Sequence, residues 1–204
     1  MTVEIRDELP ASLSDYARVP IAFEVSERFA VYAQEAGLGG LRLVSERVVP
    51  SYVKDYDSDP DHHPTAWPAR FDLSRWGFLA ARVDGERAGG AVVAWDTPGI
   101  DMLEGRSDLA VLWDLRVAPT WRHRGVGTAL FRAAEAWTLA RGARWLKVET
   151  QNINTTACRF YARQGCTLGA LHRFAYPALP EEVQLLWYKE LETEARSGVR
   201  RQRR

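Results

Sequence analysis

One stretch limits what this 204-residue chain can fold into more than any other: LRVAPTWRHRGVGTAL, residues 115–130. The residues leading into it alternate, Val111, Trp113, Leu115 and Val117 against Leu112, Asp114 and Arg116, which predicts a strand. Beyond it Val126, Leu130, Ala133, Ala134, Trp137 and Ala140 form a helical stripe closed by Gly142. A glycine-rich turn between a strand and a helix suits a phosphate, because glycine lets backbone approach a ligand and the first helical turn offers unpaired N–H groups at the positive end of its dipole. The expected ligand is a pyrophosphate, and the candidate turn comprises Arg122, His123, Arg124, Gly125, Val126, Gly127 and Thr128. It is not a Walker loop, since no Gly-Lys-Ser/Thr follows, and not a dinucleotide fingerprint, since Leu130 stands at the third glycine's place. The bland alternative is an ordinary turn that uses glycine for geometry and arginine for solubility.

Around this centre the chain predicts a mixed α/β sheet. Residues 2–6 read as a first strand, and apolar spacings from Ser12 to Gln34, interrupted by Pro20, predict two helical pieces. Residues 50–70, rich in Pro, Asp and His, predict an irregular loop. Asp84-Gly85 between two apolar runs predicts a β-hairpin. Residues 144–150 read as a strand, Asn154 as the cap of a helix through Gln164 with Gly165 as its stop, and 183–191 as a last strand. A single domain over 1–194 is expected, with a basic, disordered tail at 195–204, where five of ten residues are Arg. Apolar runs are far below the about 20 residues needed to span a bilayer, and MTVEIRDELP has no signal-peptide core, so a cytoplasmic protein is expected. Cys158 and Cys166 offer neither a disulfide framework nor a zinc pattern.

A second motif follows the turn by about 30 residues. ETQNINTTACRFYARQGC, residues 149–166, contains Asn154, Ala157, Phe160, Tyr161 and Gly165 in an Asn-x-x-Ala-x-x-Phe-Tyr-x-x-x-Gly pattern. With the Arg122, Gly125, Gly127 turn, it resembles the acyl-CoA-binding core of the GNAT superfamily of N-acetyltransferases over about residues 110–166. Within that superfamily the Glu-Thr-Gln-x-Ile-Asn-x-x-Ala-Cys-x-Phe-Tyr run is most similar to that of streptothricin acetyltransferases. The resemblance implies a mostly antiparallel central sheet with flanking helices and a splayed cleft for acetyl-CoA, and an antibiotic-resistance activity. It implies that the turn holds the CoA pyrophosphate, that backbone N–H groups of Leu115, Arg116 and Val117 address the thioester carbonyl, that Asn154, Ala157 and Phe160 belong to the cofactor-binding helix, and that Tyr161 lies near the sulfur. One departure is Cys166, where many relatives have Phe.

Acetyl transfer to an amine needs a neutral amine, a polarised carbonyl and a proton for the leaving thiolate. Tyr161 is the candidate general acid, against a half-buried helix tyrosine. Asp114 and Glu149, on the two central strands, are candidates for base or amine-binding group, against structural roles or a water relay. His123 reads as a solvent-facing turn residue, not a catalyst. No metal is expected: Asp55, Asp57, Asp59 and Asp61 resemble the start of a calcium loop, but Pro60 and Ala66 occupy its glycine and twelfth-position acid. A solvated acidic loop is the default there, and beside the acceptor site it would attract a cationic amine. The expected partners are acetyl-CoA and an amine acceptor, in a monomer or homodimer, with no membrane. A protein-lysine or other small-amine acetyltransferase stays open, as does a non-catalytic acyl-CoA sensor.

Charge supports two oppositely charged partners. Lys+Arg and Asp+Glu both number 27, but residues 1–109 hold 19 acidic and 11 basic side chains and residues 110–204 hold 8 and 16. Neutrality is therefore a cancellation between an acidic half assigned to the amine and a basic half assigned to an anionic donor. The Arg122–Arg124 cluster is better explained by CoA phosphates than by nucleic acid, and Trp113, Trp137 and Trp187 fall on predicted core faces rather than on a stacking platform.

Overall fold

The computed structural model of the chain describes residues 2–192. In chain order the elements are β1 (Val3–Glu8), α1 (Leu13–Tyr16), β2 (Phe23–Ala33), β3 (Leu41–Lys54), α2 (Trp67–Arg70), β4 (Gly77–Val83), β5 (Glu86–Trp95), β6 (Leu109–Val117), α3 (Val126–Ala140), β7 (Trp145–Gln151), α4 (Thr155–Arg163), β8 (Thr167–His172) and β9 (Gln184–Glu190). They fall into two compact units, one formed by residues up to Ile21, Asp57–Lys147 and from Lys189, the other by Ala22–Tyr56 and Val148–Tyr188. The Arg-rich segment 195–204 lies outside the described residues.

In the first unit the strands are hydrogen-bonded in the order β1-β4-β5-β6-β7, antiparallel except for the β6–β7 pair. The β4–β5 hairpin forms where Asp84-Gly85 predicts it, with φ of +51° and +84° at the two turn residues, as a primed turn requires. Both strands are buried almost throughout, so they read as continuous apolar runs rather than alternating ones. Helix α3 packs on this sheet through Val126, Leu130, Phe131, Ala134 and Trp137. Burying each of its larger apolar side chains contributes about 1.5–3 kcal/mol. Gly142 ends the helix region with φ +78°, the left-handed conformation that a glycine C′ residue supplies. An aromatic cluster of Tyr16, Trp67, Phe71, Trp76 and Trp113, with neighbouring ring centroids 5.1–6.2 Å apart, fills the space under α1 and α2.

In the second unit β7 runs on beside β9, which pairs antiparallel with β8, and β2 and β3 form a separate antiparallel ribbon. Here the structure corrects the expectation for residues 12–34. A short helix forms at Leu13–Tyr16, but the second expected helical piece is the strand β2. Along β2 the apolar residues Phe23, Val25, Phe29, Val31 and Ala33 alternate as a strand requires, interrupted by Glu27, and the four-residue step from Val25 to Phe29 that this leaves fits a helix and a strand equally. Residues 50–54 are the end of β3 rather than loop; beyond them irregular turns, as expected, alternate with single helical turns at Tyr56–Ser58 and Pro64–Ala66 and end in α2.

Asn152, 2% exposed, joins three segments of this unit. Its backbone carbonyl accepts from Phe29 N at 2.9 Å and its amide donates to Phe29 O at 2.9 Å, while its side-chain oxygen accepts from Val183 N at 2.8 Å. Glu27 reaches α4, accepting from both terminal nitrogens of Arg159 at 2.6 and 2.7 Å. Arg159, with Ser45 and Thr155, holds the Glu27 carboxyl down to about 2.

Candidate active site

The turn after β6 has the shape that binds an anion. A single helical turn at Pro119–Trp121 is followed by His123 at φ +60° and Gly125 at φ +86°. Gly125 is the N-cap of α3 and has no side-chain oxygen with which to cap the first turn of this 15-residue helix. A Cβ at Gly125 would meet nothing within 4 Å, so the N-cap position of α3 borders open space. The turn therefore fits the pyrophosphate assigned to it. The Arg122 side chain is turned inward: its Nε donates to Val117 O at 3.1 Å and its Nη2 to Pro20 O at 3.4 Å. Arg124 lies over the Trp121 ring at 5.4 Å, and His123 is exposed as expected. These side chains brace the turn, and the backbone is what it presents.

Strand β6 changes character halfway along. Its parallel ladder with β7 is confined to Leu109–Val111 against Trp145–Lys147. Its antiparallel ladder with β5 skips Trp113, since Val93 faces Leu112 and Val92 faces Asp114. A bulge and the end of a ladder thus coincide, and Leu115–Val117 continue with a ladder on the β5 side alone among the described residues. Alternate N–H groups of such a segment point away from its single partner.

The side chains of Asp114 and Arg116 form a buried cluster, 7% and 1% exposed. Arg116 donates from Nε to Asp114 Oδ1 at 3.1 Å and from Nη2 to Asp114 Oδ2 at 2.6 Å. Nη1 reaches Asp57 Oδ2 at 2.8 Å and Val19 O at 3.2 Å, and Nη2 also reaches Asp57 Oδ1 at 3.2 Å. All five guanidinium N–H groups are thereby used. Burial disfavours the Arg116 charge, yet the Asp114 carboxylate outweighs it and its pKa stays above the usual arginine value. Tyr16 donates to Asp114 Oδ1 at 2.6 Å, and burial followed by the Asp114 charge raises its phenol well above 10. Three hydrogen bonds from Arg116 and Tyr16 thus engage Asp114 as a counter-ion. Asp57, expected in a solvated acidic loop, is Arg116's second carboxylate, and Asp59 faces His62 at 3.0 Å and accepts from Asp61 N.

In the second unit Glu149 is half-buried and bound by neutral groups only. Its Oε1 accepts from the Tyr176 hydroxyl and, at 3.4 Å, from Gln151, and its Oε2 accepts from Gln184 at 2.7 Å. Gln151 also donates to the Tyr176 oxygen at 2.9 Å and accepts from Tyr56. Burial, then the Glu149 charge, raises the Tyr176 phenol, and burial raises that of Tyr56. No Lys or Arg pairs with Glu149 among the described residues. Asn154 caps α4, its oxygen accepting from Ala157 N at 3.0 Å. One face of that helix buries Thr155, Cys158 and Tyr161, the last 6% exposed and in edge contact with the half-buried Phe160 at 5.1 Å. Burial pushes the Cys158 thiol up to about 11, which makes it a packing residue.

Sequence reasoning missed Asp57 and Tyr16 as partners of β6 and Tyr176, Gln151, Gln184 and Tyr56 around Glu149. Gln151 stands in the second motif, but the others carry no local signal. They are brought in by segments 25 to 98 residues away.

The acetyltransferase (GNAT) family model matches residues 43–166. A streptothricin acetyltransferase of Escherichia coli is 30% identical over 183 residues, covering 88% of this chain and 92% of that protein. A streptothricin acetyltransferase of Streptomyces lavendulae is 25% identical over 190 residues, 93% of this chain and 95% of that protein. Among solved structures, a nourseothricin acetyltransferase matches with a TM-score of 0.73 and 26% identity, over 94% of this chain and all of that one.

Proposed function

The chain belongs to the acetyltransferase (GNAT) family and is an acetyl-CoA-dependent N-acetyltransferase, and we propose that its acceptor is a primary amine of a cationic small molecule of the streptothricin class. The observation that carries this reading is the extent of the likeness. The Escherichia coli relative aligns with 88% of the chain, so the similarity takes in segments on both sides of the CoA-binding core. The acidic bias of residues 1–109 and a Glu149 that pairs with no Lys or Arg among the described residues both suit a polycationic acceptor. We place the reaction in the cytoplasm; no helix among the described residues is long and apolar enough to cross a membrane.

Acetyl-CoA supplies an acetyl group activated as a thioester. In this reading the first-turn N–H groups of α3 hold its pyrophosphate, and the N–H groups of Leu115–Val117 that point away from β5 polarise the thioester carbonyl. Glu149 receives the proton of the acceptor ammonium, directly or through water, because Asp114 is committed to Arg116 and Tyr16. Tyr161 gives a proton to the departing thiolate.

A thiol-release assay with acetyl-CoA and a panel of amines tests the acceptor. Turnover with streptothricin at a kcat/KM at least about 10²-fold above that for a lysine peptide is expected, within the range of efficient enzymes. The reverse order would replace the acceptor by a protein lysine. In the same assay Glu149→Gln should lower kcat/KM for the amine by about 10²-fold, the usual scale for a lost general base, with the acetyl-CoA KM unmoved. Unchanged amine kinetics would pass the role to a water relay.

A further inference from the structure

Arg116 is the best-tethered side chain near the segment assigned to the thioester. That segment needs a tether: past the bulge at Trp113, β6 has a ladder only with β5 among the described residues. Two glycines of β5 show how closely it is held there. A Cβ at Gly89 would come within 2.5 Å of Arg116 O, and one at Gly90 within 2.6 Å of the Tyr16 ring. Backbone is pressed on backbone at Arg116, and Tyr16 lies over the next position, its ring 5.0 Å from the guanidinium. The guanidinium then ties β6 to Asp57 and to the Val19 carbonyl, two points that are far from it in sequence.

An ion cluster of this kind is a poor way to fill a core, because apolar side chains of equal volume commonly give equal or greater stability. What it supplies is direction. Five donors on a rigid planar fork, each with its own acceptor, fix the Arg116 side chain and with it the adjacent backbone far more narrowly than packing alone.

We propose that Asp57 and Arg116 are positioning residues for acetyl transfer: together they hold Leu115–Val117 in the orientation in which the segment's N–H groups polarise the thioester carbonyl. This rests on the polarising role given to those N–H groups above. Asp57 acts through Arg116 and touches no reacting atom.

The test is the infrared band of a carbon-13-labelled acetyl carbonyl in bound acetyl-CoA, with wild type, Asp57→Asn and Asp57→Ala, alongside kcat, both KM values and Tm. The band needs no acceptor, so it does not depend on which amine is used. In wild type it should lie at lower frequency than for acetyl-CoA in water. In Asp57→Ala it should move back toward the free position. Turnover of streptothricin should fall by roughly 10-fold, less than the 10²–10³-fold cost of removing an oxyanion donor outright. The KM for acetyl-CoA should stay within about 3-fold, since the turn that binds its phosphates is untouched. Asp57→Asn keeps one acceptor oxygen and should fall between the two, and it decides the matter if the alanine variant does not fold. Variants that keep the wild-type band and kcat while only Tm falls would overturn the positioning role. A wild-type band at the free position would instead remove the polarising role of Leu115–Val117 itself.

Discussion

Tyr161→Phe should lower kcat by about 10²–10³-fold while leaving acetyl-CoA affinity within about 3-fold, a loss typical of removing a general acid. The substitution deletes one oxygen and keeps the ring. Tyr161 is 6% exposed on the inner face of α4, next to Phe160, so its packing survives in the variant and the helix keeps its Asn154 cap. An ordinary phenol, near 10, is a weaker acid than an ordinary thiol, near 8.5, so donation to a departing thiolate runs uphill by about 1.5 pKa units, or about 2 kcal/mol. A leaving-group series separates this role from simple packing. Acetyl thioesters of more acidic thiols need less protonation as they leave, so the deficit of the phenylalanine variant should shrink along the series. An unchanged kcat would dismiss the acid assignment. A deficit equal for every leaving group would make Tyr161 a packing residue whose loss displaces something else.

The segments that could be read from the chain are those whose chemistry is local. The Asp84-Gly85 hairpin, the α3 stripe with Gly142, and the Asn154 cap of α4 each carry their signal within a few residues, and each forms where expected. Strand β2 does not, because Glu27 interrupts the alternation of Phe23, Val25, Phe29, Val31 and Ala33 and the four-residue gap it leaves is shared by helix and strand, and β3 is exposed along most of its length. The same division runs through the site. The glycine turn after β6 is legible since glycine records a backbone requirement in the residue itself. The partners of Asp114, Arg116 and Glu149 are not, because an ion pair or hydrogen bond between residues 57 and 116, or 149 and 176, leaves no mark on the neighbours of either. Composition misleads at Asp57 in particular: four aspartates in seven residues look solvated, yet this one is the second anchor of a buried arginine.

Gly125→Val should raise the KM for acetyl-CoA by about 10²-fold, equivalent to about 2.7 kcal/mol of binding, with kcat at saturation much less affected. Two effects act at this position and can be told apart. The first is conformational. Gly125 has φ +86°, where a β-branched residue is a strained outlier, whereas asparagine tolerates the left-handed region comparatively well. The second is spatial. Nothing lies within 4 Å of where a Cβ would sit, so a side chain there enters open space beside the N-cap of α3. If conformation alone matters, Gly125→Asn should bind acetyl-CoA nearly as wild type does. If the space is the phosphate site, asparagine and valine should both weaken binding, valine more. Arg122→Ala should cost less than either, because its side chain is spent on the Val117 and Pro20 carbonyls. Thermal unfolding gives an independent measure: acetyl-CoA at about 100 times its Kd stabilises a folded protein by about 2.7 kcal/mol, and that ligand-induced rise in Tm should nearly vanish in Gly125→Val. A valine variant that keeps the full rise would place the pyrophosphate away from this turn.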